Sequence, residues 1–402
     1  MKNLLLISEN FYPEDFGIND LIPKFKSSGY KVYVLTQTPS YPYDKPYKGY
    51  KNRLFQVEEK DGVVIYRVFS LLWRKKSFLP KTLAYLFFAL ISSITILFIK
   101  RKKFDSVFVY QVGPLTQIIP ALFSKLIFKN KISIWILDLW PYTVWGFGLK
   151  KNLVLEFLLN TFCKIAYKYS DNILVSNEGF IEKINFYVPN KKIHFIPQWI
   201  PNDINYLYND YEFKFNPLDI NFLFAGNVGK VQNLENIITA FSSCPEKYVL
   251  HVVGDGSNLS KLKELSKGLN CENVIFHGRV PFSEISNWLL SADVLIISLI
   301  DKLSFNLTVP AKFQAYLGAF KPILGVINGE TAKLINTNQL GLTAHPDNII
   351  EIKEQTNKFK KENAFYNKKA SEKLLNESYD FEKIVVKIIK IIDNERNNIS
   401  RR

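Results

Sequence analysis

The chain has 402 residues, 47% hydrophobic and 22% charged, long enough for two domains of ordinary size and too apolar for a disordered or collagen-like polymer. Three cysteines far apart (Cys163, Cys244, Cys271) exclude a disulfide framework and fit a reduced compartment; the four histidines show no ligand-like spacing, so no metal site is expected. The net charge of +15 sits almost entirely on one half. Residues 1–205 carry 28 Lys+Arg against 15 Asp+Glu, and residues 206–402 carry 24 against 22. A coding bias toward lysine would load both halves alike. A basic half suits nucleic acid, an anionic membrane or a phosphorylated substrate.

The opening run to Ser8 is apolar without a small-residue cleavage site, which predicts a buried first strand rather than a cleaved leader and a cytoplasmic location. Strands are predicted at 2–8, 31–36, 63–69, 105–110, 132–137 and 171–176. Helices fall between them at 18–28, 79–99, 115–128, 153–169 and 177–186. Short β-branched runs alternating with helices imply parallel strands and a doubly wound α/β domain. The stretch Ile196-Pro197-Gln198-Trp199-Ile200-Pro201-Asn202 and the polar loop after it interrupt the pattern. Strands resume at 220–225, 248–253, 273–276, 293–298 and 321–326, with helices at 232–242, 257–267, 282–290, 310–319 and 329–336. The fold class is therefore α/β, two Rossmann-like doubly wound domains facing a cleft, at 1–200 and 201–375. A tail helix over 380–397 carries Ile384, Val385, Ile388, Ile389 and Ile392 on one stripe, and residues 376–402 are expected to pack back on the first domain.

Thr82 to Ile99 contains no charge and would form a helix about 27 Å long at ~1.5 Å per residue, just short of the ~30 Å hydrocarbon core. It is open to three placements: buried on the first sheet, dipping into one leaflet, or spanning. A span would separate strands of one sheet across the membrane. The favoured reading is a helix packed on the sheet with part of its surface on lipid. Lys100, Arg101, Lys102 and Lys103 follow it, each worth roughly 1 kcal/mol near an anionic surface. Tyr41, Tyr43, Tyr47 and Tyr50 interleaved with Lys45, Lys48 and Lys51 would suit nucleic acid but read more simply as a solvated loop, and no nucleic-acid partner is expected.

Chemistry is concentrated in the loops that follow strands. Gly226-Asn227-Val228-Gly229 to Gln232 ends one strand and opens a helix, a place where glycines admit a phosphate and free N–H groups meet it; an ordinary strand-to-helix turn is the alternative. Gly254-Asp255-Gly256 repeats the arrangement, with Asp255 open to a plain turn or N-cap role. Arg279 stands at a strand end as either a nucleotide neighbour or a solvated arginine. Thr308 is a candidate N-cap, with Pro310 and Lys312 in the first turn that follows; a cation there opposes the helix dipole unless an anion intervenes. In the first half, Asp138 ends an apolar strand before Trp140-Pro141. Gly17 and Gly113 lie in matching loops.

These residues, in this order, resemble the glycosyltransferase family 4 group of two-domain GT-B enzymes, especially those that build O-antigen, capsule and colanic-acid-type polysaccharides. The resemblance runs from residue 3 to about 345. It is carried by Asn10-Phe11-Tyr12-Pro13-Glu14 with Gly17, Gly29-Tyr30-Lys31-Val32, Asp138-Leu139-Trp140-Pro141, Ser170-Asp171-Asn172, Ala225-Gly226-Asn227-Val228-Gly229, Ala292-Asp293-Val294, Val309-Pro310-x-Lys312 and Lys321-Pro322-Ile323. It implies retaining transfer of a hexosyl or N-acetylhexosaminyl unit from a nucleoside-diphosphate donor, UDP first, to a polyprenyl-diphosphate-linked saccharide at the inner membrane surface, with no metal or other cofactor. The attack would be front-face, the acceptor hydroxyl bonded to the leaving phosphate.

The resemblance assigns Asp138 to orienting or deprotonating the acceptor and Trp140 to the acceptor side. The donor set is Gly17, Gly226, Asn227, Gly229, Gln232, Gly254, Asp255, Arg279, Thr308, Pro310, Lys312, Gln314 and Glu330. The family's Glu-x7-Glu pair falls on Leu307 and Ala315, and its diphosphate-binding Arg and Lys fall on Asn227 and Gln232. Gln314 or Glu330 would then replace the ribose carboxylate, and Lys312 and Arg279 would supply charge. A non-catalytic GT-B partner protein and a nucleotide-sugar epimerase are the alternatives.

Overall fold

A computed structural model describes residues 1–43, 45–72, 78–99, 104–146, 148–200 and 215–394. The basic clusters 74–76 and 100–103, and so Lys100, Arg101, Lys102 and Lys103, lie outside the described residues, as do the first residues after the 200/201 boundary. The chain divides into one unit comprising Met1–Pro197 with the segment from Glu382 onward, and a second comprising Gln198–Phe381.

The first unit is built on eight strands: β1 (Lys2–Ile7), β2 (Tyr30–Gln37), β3 (Phe55–Lys60), β4 (Val63–Val68), β5 (Ser106–Gln111), β6 (Lys131–Ile136), β7 (Asn172–Val175) and β8 (Ile193–Phe195). Their order is β3-β4-β2-β1-β5-β6-β7-β8. All neighbours are parallel except β3 with β4. That antiparallel edge was not anticipated, although Asp61-Gly62, both at positive φ (50° and 73°), is the two-residue signal of a tight hairpin. Leu4 to Ile7 and Val107 to Val109 are fully buried, as central parallel strands covered on both faces require.

The uncharged segment lies in the helix Phe78–Phe98, whose one charge is Lys81; the helix packs on the helix Ile119–Phe128, which in turn touches the helix Leu153–Tyr169. Pro80–Phe98 is long and apolar enough to cross a membrane, with 39% of it buried in the protein. Its residues separate by face. Ala84, Phe88, Ala89, Ser92, Thr95 and Ile96 are buried, whereas Leu83, Leu86, Leu90, Ile94 and Leu97 are exposed at the three- and four-residue spacing of a single stripe.

The final helix, Phe381–Asn394, packs with the first unit through buried Ile384, Val385, Ile388 and Ile392. Asp393 is bonded by Lys2 at 2.5 Å and Tyr30 Oη at 2.6 Å, and Lys24 pairs with Glu382. The return to this unit begins at Glu382 rather than 376. The unanticipated helix Lys368–Ser378 belongs to the second unit, where the Ser371 hydroxyl donates to the carbonyl of Leu317 at 3.3 Å.

The second unit holds β9 (Ile220–Ala225), β10 (Tyr248–Val253), β11 (Val274–Gly278), β12 (Val294–Ser298), β13 (Ile323–Val326) and β14 (Gly341–Ala344), all parallel, in the order β11-β10-β9-β12-β13-β14. The strand order reverses between β9 and β12. In the first sheet the corresponding reversal lies between β1 and β5. Open α/β sheets bind ligands outside the carboxyl ends of the strands at such points, because loops on either side diverge to opposite faces and leave a crevice.

Candidate functional site

In the second unit the crevice is walled by backbone. β9 ends at Gly226 and β10 at Gly254, at φ +138° and +140°, where a side chain would be strained. A Cβ on Gly254 would lie 1.8 Å from the carbonyl oxygen of Gly226, and one on Gly256 would lie 2.4 Å from that of Val228. The two loops are joined by Val228 N–H to Asp255 O (2.9 Å) and Asn258 N–H to Val228 O (3.0 Å), so only glycine permits this approach. The Tyr316 hydroxyl accepts from the N–H of Ala225 at 3.2 Å and fixes the end of β9.

Beside Gly226 lies Lys312, at the start of the helix Lys312–Gly318. The residue as a whole is half-buried, yet its Nζ is out of solvent and has no hydrogen-bond partner among the described residues. It stands 3.7 Å from the centre of the Phe224 ring and 3.4 Å from the place a Gly226 Cβ would take. Burial pulls its pKa down to about 7. The Phe224 face offers some electrostatic compensation, but a buried cation of this kind ordinarily has an anionic partner.

The other donor candidates divide. The Gln232 Oε1 accepts from the Gly229 N–H at 3.0 Å, and the Asn227 amide lies 3.0 Å from where a Gly229 Cβ would stand; Gln232 therefore braces the loop, while Asn227 is exposed at its tip. Asp255 is exposed and accepts from the next residue's N–H at 2.7 Å, the turn role. Arg279 is exposed just beyond Gly278, whose carbonyl accepts from Gly254 N–H at 2.7 Å. Thr308 is not an N-cap: its hydroxyl donates back to Ser304 O at 2.8 Å and closes the short helix Leu303–Asn306, and Ala311 precedes the next helix. Pro310 is half-buried in the loop between them. Gln314 is buried, with its Oε1 unpartnered among the described residues. Glu330 opens the helix Glu330–Thr337; its neighbour Thr331 donates to Thr308 O at 3.1 Å, which ties that turn to the 306–308 segment. Gly17 belongs to the first unit, at the N-cap of the helix Ile18–Ser27.

The crevice of the first unit is walled by side chains. A cavity of about 500 Å³ is lined by Glu9 and Asn10 after β1, Tyr41 and Tyr43 after β2, Gly113 after β5, and Asp138 and Trp140 after β6, together with Phe16 and the Lys81, Thr82 and Tyr85 turn of the apolar helix. The Asp138 Oδ2 accepts from the Gly113 N–H at 2.5 Å, and Trp140 Nε1 donates to Gly113 O at 3.1 Å. Burial pushes the Asp138 carboxyl up, against the lowering influence of the Gly113 N–H and of Lys81. Buried Glu14 accepts from the N–H groups of Ser40 (2.7 Å) and Tyr41 (2.6 Å) and from Asn10 Nδ2 (2.8 Å), anchoring the tyrosine loop to the cavity.

Sequence reasoning found Asp138 and Trp140 but missed Lys81, Tyr85 and the cavity role of Tyr41 and Tyr43. The tyrosines were legible only as a loop following a strand. A larger concavity, about 770 Å³, lies at the amino ends of β7 and β8. Two of its polar groups are engaged: Asp171 with Lys125, at 2.6 Å, and Lys191 with the carbonyls of Tyr167, Lys168 and Ser170. Among the described residues no group of three or more His, Cys, Asp or Glu is placed to hold a metal.

Residues 211–373 match the model for glycosyl transferases group 1. The chain is 27% identical over 299 residues to the probable glycosyltransferase WbjE of Pseudomonas aeruginosa, covering 69% of this chain and 71% of that one. It is 25% identical over 305 residues to the putative colanic acid biosynthesis glycosyl transferase WcaI of Escherichia coli (strain K12), covering 68% and 70%. In fold it resembles the sucrose-phosphate synthase of Thermosynechococcus elongatus, at 12% identity, TM-score 0.72 and full coverage of both chains. It also resembles Anabaena Alr3699/HepE, solved with UDP and glucose, at 12% identity and TM-score 0.66, covering 98% of this chain and 100% of that one.

Proposed function

From the group 1 glycosyl transferase domain that residues 211–373 form, within an α/β fold of the GT-B type, we propose that the protein is a glycosyltransferase of surface-polysaccharide biosynthesis. It moves a hexosyl or N-acetylhexosaminyl unit from a nucleoside-diphosphate donor, UDP first, to a polyprenyl-diphosphate-linked saccharide, with retention and without a metal. The relative named for colanic acid biosynthesis supports the pathway class, and a fold neighbour solved with UDP supports the donor class.

The observation that carries the reading is the Lys312 ammonium, buried without a partner beside Gly226 at the strand-order reversal. A diphosphate is the anion such a place fits. As the bond from the sugar anomeric carbon to the diphosphate oxygen breaks, charge develops on that oxygen, and a fixed cation in a dry site stabilises it more than it stabilises the ground state. The acceptor oxygen bonds to the anomeric carbon on the face the leaving group vacates, and its proton passes to the leaving phosphate. Asp138, held by Gly113, orients the acceptor hydroxyl, and its raised pKa keeps it able to share that proton. The aromatic walls of the first unit's cavity suit sugar rings. The exposed stripe of the helix Phe78–Phe98 holds the protein peripherally on the inner face of the plasma membrane.

The test is a panel of UDP-, GDP- and dTDP-sugars incubated with purified protein and followed by mass spectrometry, with and without a polyprenyl-diphosphate-linked acceptor. Selective binding of one donor, slow loss of its sugar, and faster loss with acceptor are expected. Epimerised free donor, or a folded sample that binds none of them, would overturn the reading.

A further inference from the structure

We infer that the helix Leu153–Tyr169 is a second lipid-contacting element, which with the helix Phe78–Phe98 seats the outer helical layer of the first unit on an anionic bilayer and brings the rim of the Asp138 cavity to headgroup level. The inference rests on the membrane attachment proposed above but not on the sugar chemistry.

The first two turns of this helix are apolar and open to solvent: Leu153 is 88% exposed, Val154 70%, Phe157 69% and Leu158 57%. Positions 153, 154, 157 and 158 form one face of a helix, opposite the buried Cys163, Ala166 and Tyr167. Isolated exposed leucines need no explanation, but a contiguous apolar face does. It also has an apolar neighbour. Leu153–Tyr169 touches Ile119–Phe128, which carries exposed Leu126 and Ile127 and packs in turn on Phe78–Phe98, the helix that bears the exposed leucine stripe.

Charge selects the occupant. Lys150 and Lys151 stand exposed immediately before the helix, and Lys164 and Lys168 are exposed on its later turns; Glu156 is its only acidic residue. Apolar side chains followed by lysines match a bilayer with anionic headgroups. A second copy of this basic chain would bring like charges together.

One of the two helices begins at the cavity, and a short helix that precedes the other in the chain lines it as well. Lys81, Thr82 and Tyr85 line it from the first turns of Phe78–Phe98, and Thr143 and Val144 line it from the short helix Tyr142–Gly146 that leads into Leu153. From Lys81 to Leu90 is only about 13 Å at ~1.5 Å per residue. An acceptor whose lipid lies in the bilayer therefore needs only a short saccharide to reach Asp138.

The test uses full-length protein and vesicles of equal parts phosphatidylethanolamine and phosphatidylglycerol. Cosedimentation of a Val154→Ser, Phe157→Ser, Leu158→Ser triple variant should fall at least tenfold, while Ile349→Ser with Ile350→Ser in the second unit leaves it unchanged. Photolabelling of the unaltered protein from a diazirine-bearing phosphatidylglycerol should place adducts on residues 153–158 as well as on Phe78–Phe98. Adducts confined to the latter helix, equal losses in both variants, or a concentration-dependent dimer abolished by the triple variant with vesicle binding intact would each overturn the inference. Loss of vesicle binding with donor hydrolysis preserved separates this surface from the chemistry; vesicle binding and labelling as expected in a protein that hydrolyses no donor would leave the inference standing and sink the proposed function.

Discussion

The carboxyl edges of the two sheets present opposite kinds of site on the same topology. In the first unit the crevice is lined by tyrosines, a tryptophan, a carboxylate held by a single N–H, and a lysine from the apolar helix Phe78–Phe98. In the second, side chains withdraw: Gly226 and Gly254 touch backbone to backbone, and one cation waits without a partner. Rings and directional polar groups discriminate among sugars, while bare backbone and a dry cation hold phosphate almost regardless of what is attached. Under the proposed function, the difference places the acceptor's sugar at the first edge and the donor's diphosphate at the second. It also locates the strongest constraints, on shape in one edge and on backbone approach in the other.

The largest effect is expected where approach is tightest. Gly254→Ala puts a methyl against the Gly226 carbonyl at a strained φ; it should lower stability by about 2 kcal/mol or more and abolish measurable donor binding, as thermal unfolding and calorimetry would record. Asp138→Asn keeps the acceptance from Gly113 within reach but removes the carboxylate that orients the acceptor hydroxyl, and should lower transfer about 10²–10⁴-fold with donor affinity intact; a parallel loss of donor affinity would erase the division between the edges.

Lys312→Met is expected to act in two directions. It should weaken donor binding about tenfold or more, well beyond Lys302→Ala, while raising the stability of the unliganded protein by about 1 kcal/mol or more, because an uncompensated buried charge is gone. Equal effects of the Lys312 and Lys302 changes on donor affinity would remove the phosphate role. With a free-protein pKa of about 7, donor affinity should also fall as pH rises above 7, by up to tenfold per unit, because the amine must first regain its proton.

The smallest effect concerns stability alone. His251 bonds Asn221 Oδ1 and His277 at 3.0 Å each, and burial, with His277 adding, lowers its pKa to about 3. The folded value lies below the ordinary one, so the unfolded chain takes up the extra proton as pH falls below about 6.5. Stability should then drop toward acid by up to about 1.4 kcal/mol per pH unit for this residue. A flat profile in denaturant titrations from pH 7 to 5 would contradict a neutral buried imidazole.

Much of the architecture was legible because the central strands of both sheets are parallel and buried: runs such as Leu4-Leu5-Leu6-Ile7 and Val294-Leu295-Ile296-Ile297 announce themselves by composition. The hairpin of β3 and β4 escaped because Phe55–Lys60 has the burial pattern of a polar edge, and β14 because it is four residues starting at a glycine. Asp138 and the two glycine loops were singled out from their positions after strands, and Lys312 as a cation in the first turn of a helix. Thr308 was misassigned because a Ser/Thr before Pro reads as a cap when the short helix Leu303–Asn306 is not foreseen. Tyr85 was hidden inside a segment read for hydrophobicity alone, and Lys81 lies just before that segment; their role depends on which end of that helix meets the sheet edge, a tertiary fact.

The most direct measurement is calorimetric titration of the protein with the nucleoside diphosphate selected by the donor panel, at pH 8, in two buffers of different ionisation enthalpy. If Lys312 is the neutral, buried amine that a diphosphate recharges, binding takes up close to one proton per site, and the uptake disappears in Lys312→Met. Tight binding with no proton uptake would contradict it, and the diphosphate would have to be held elsewhere.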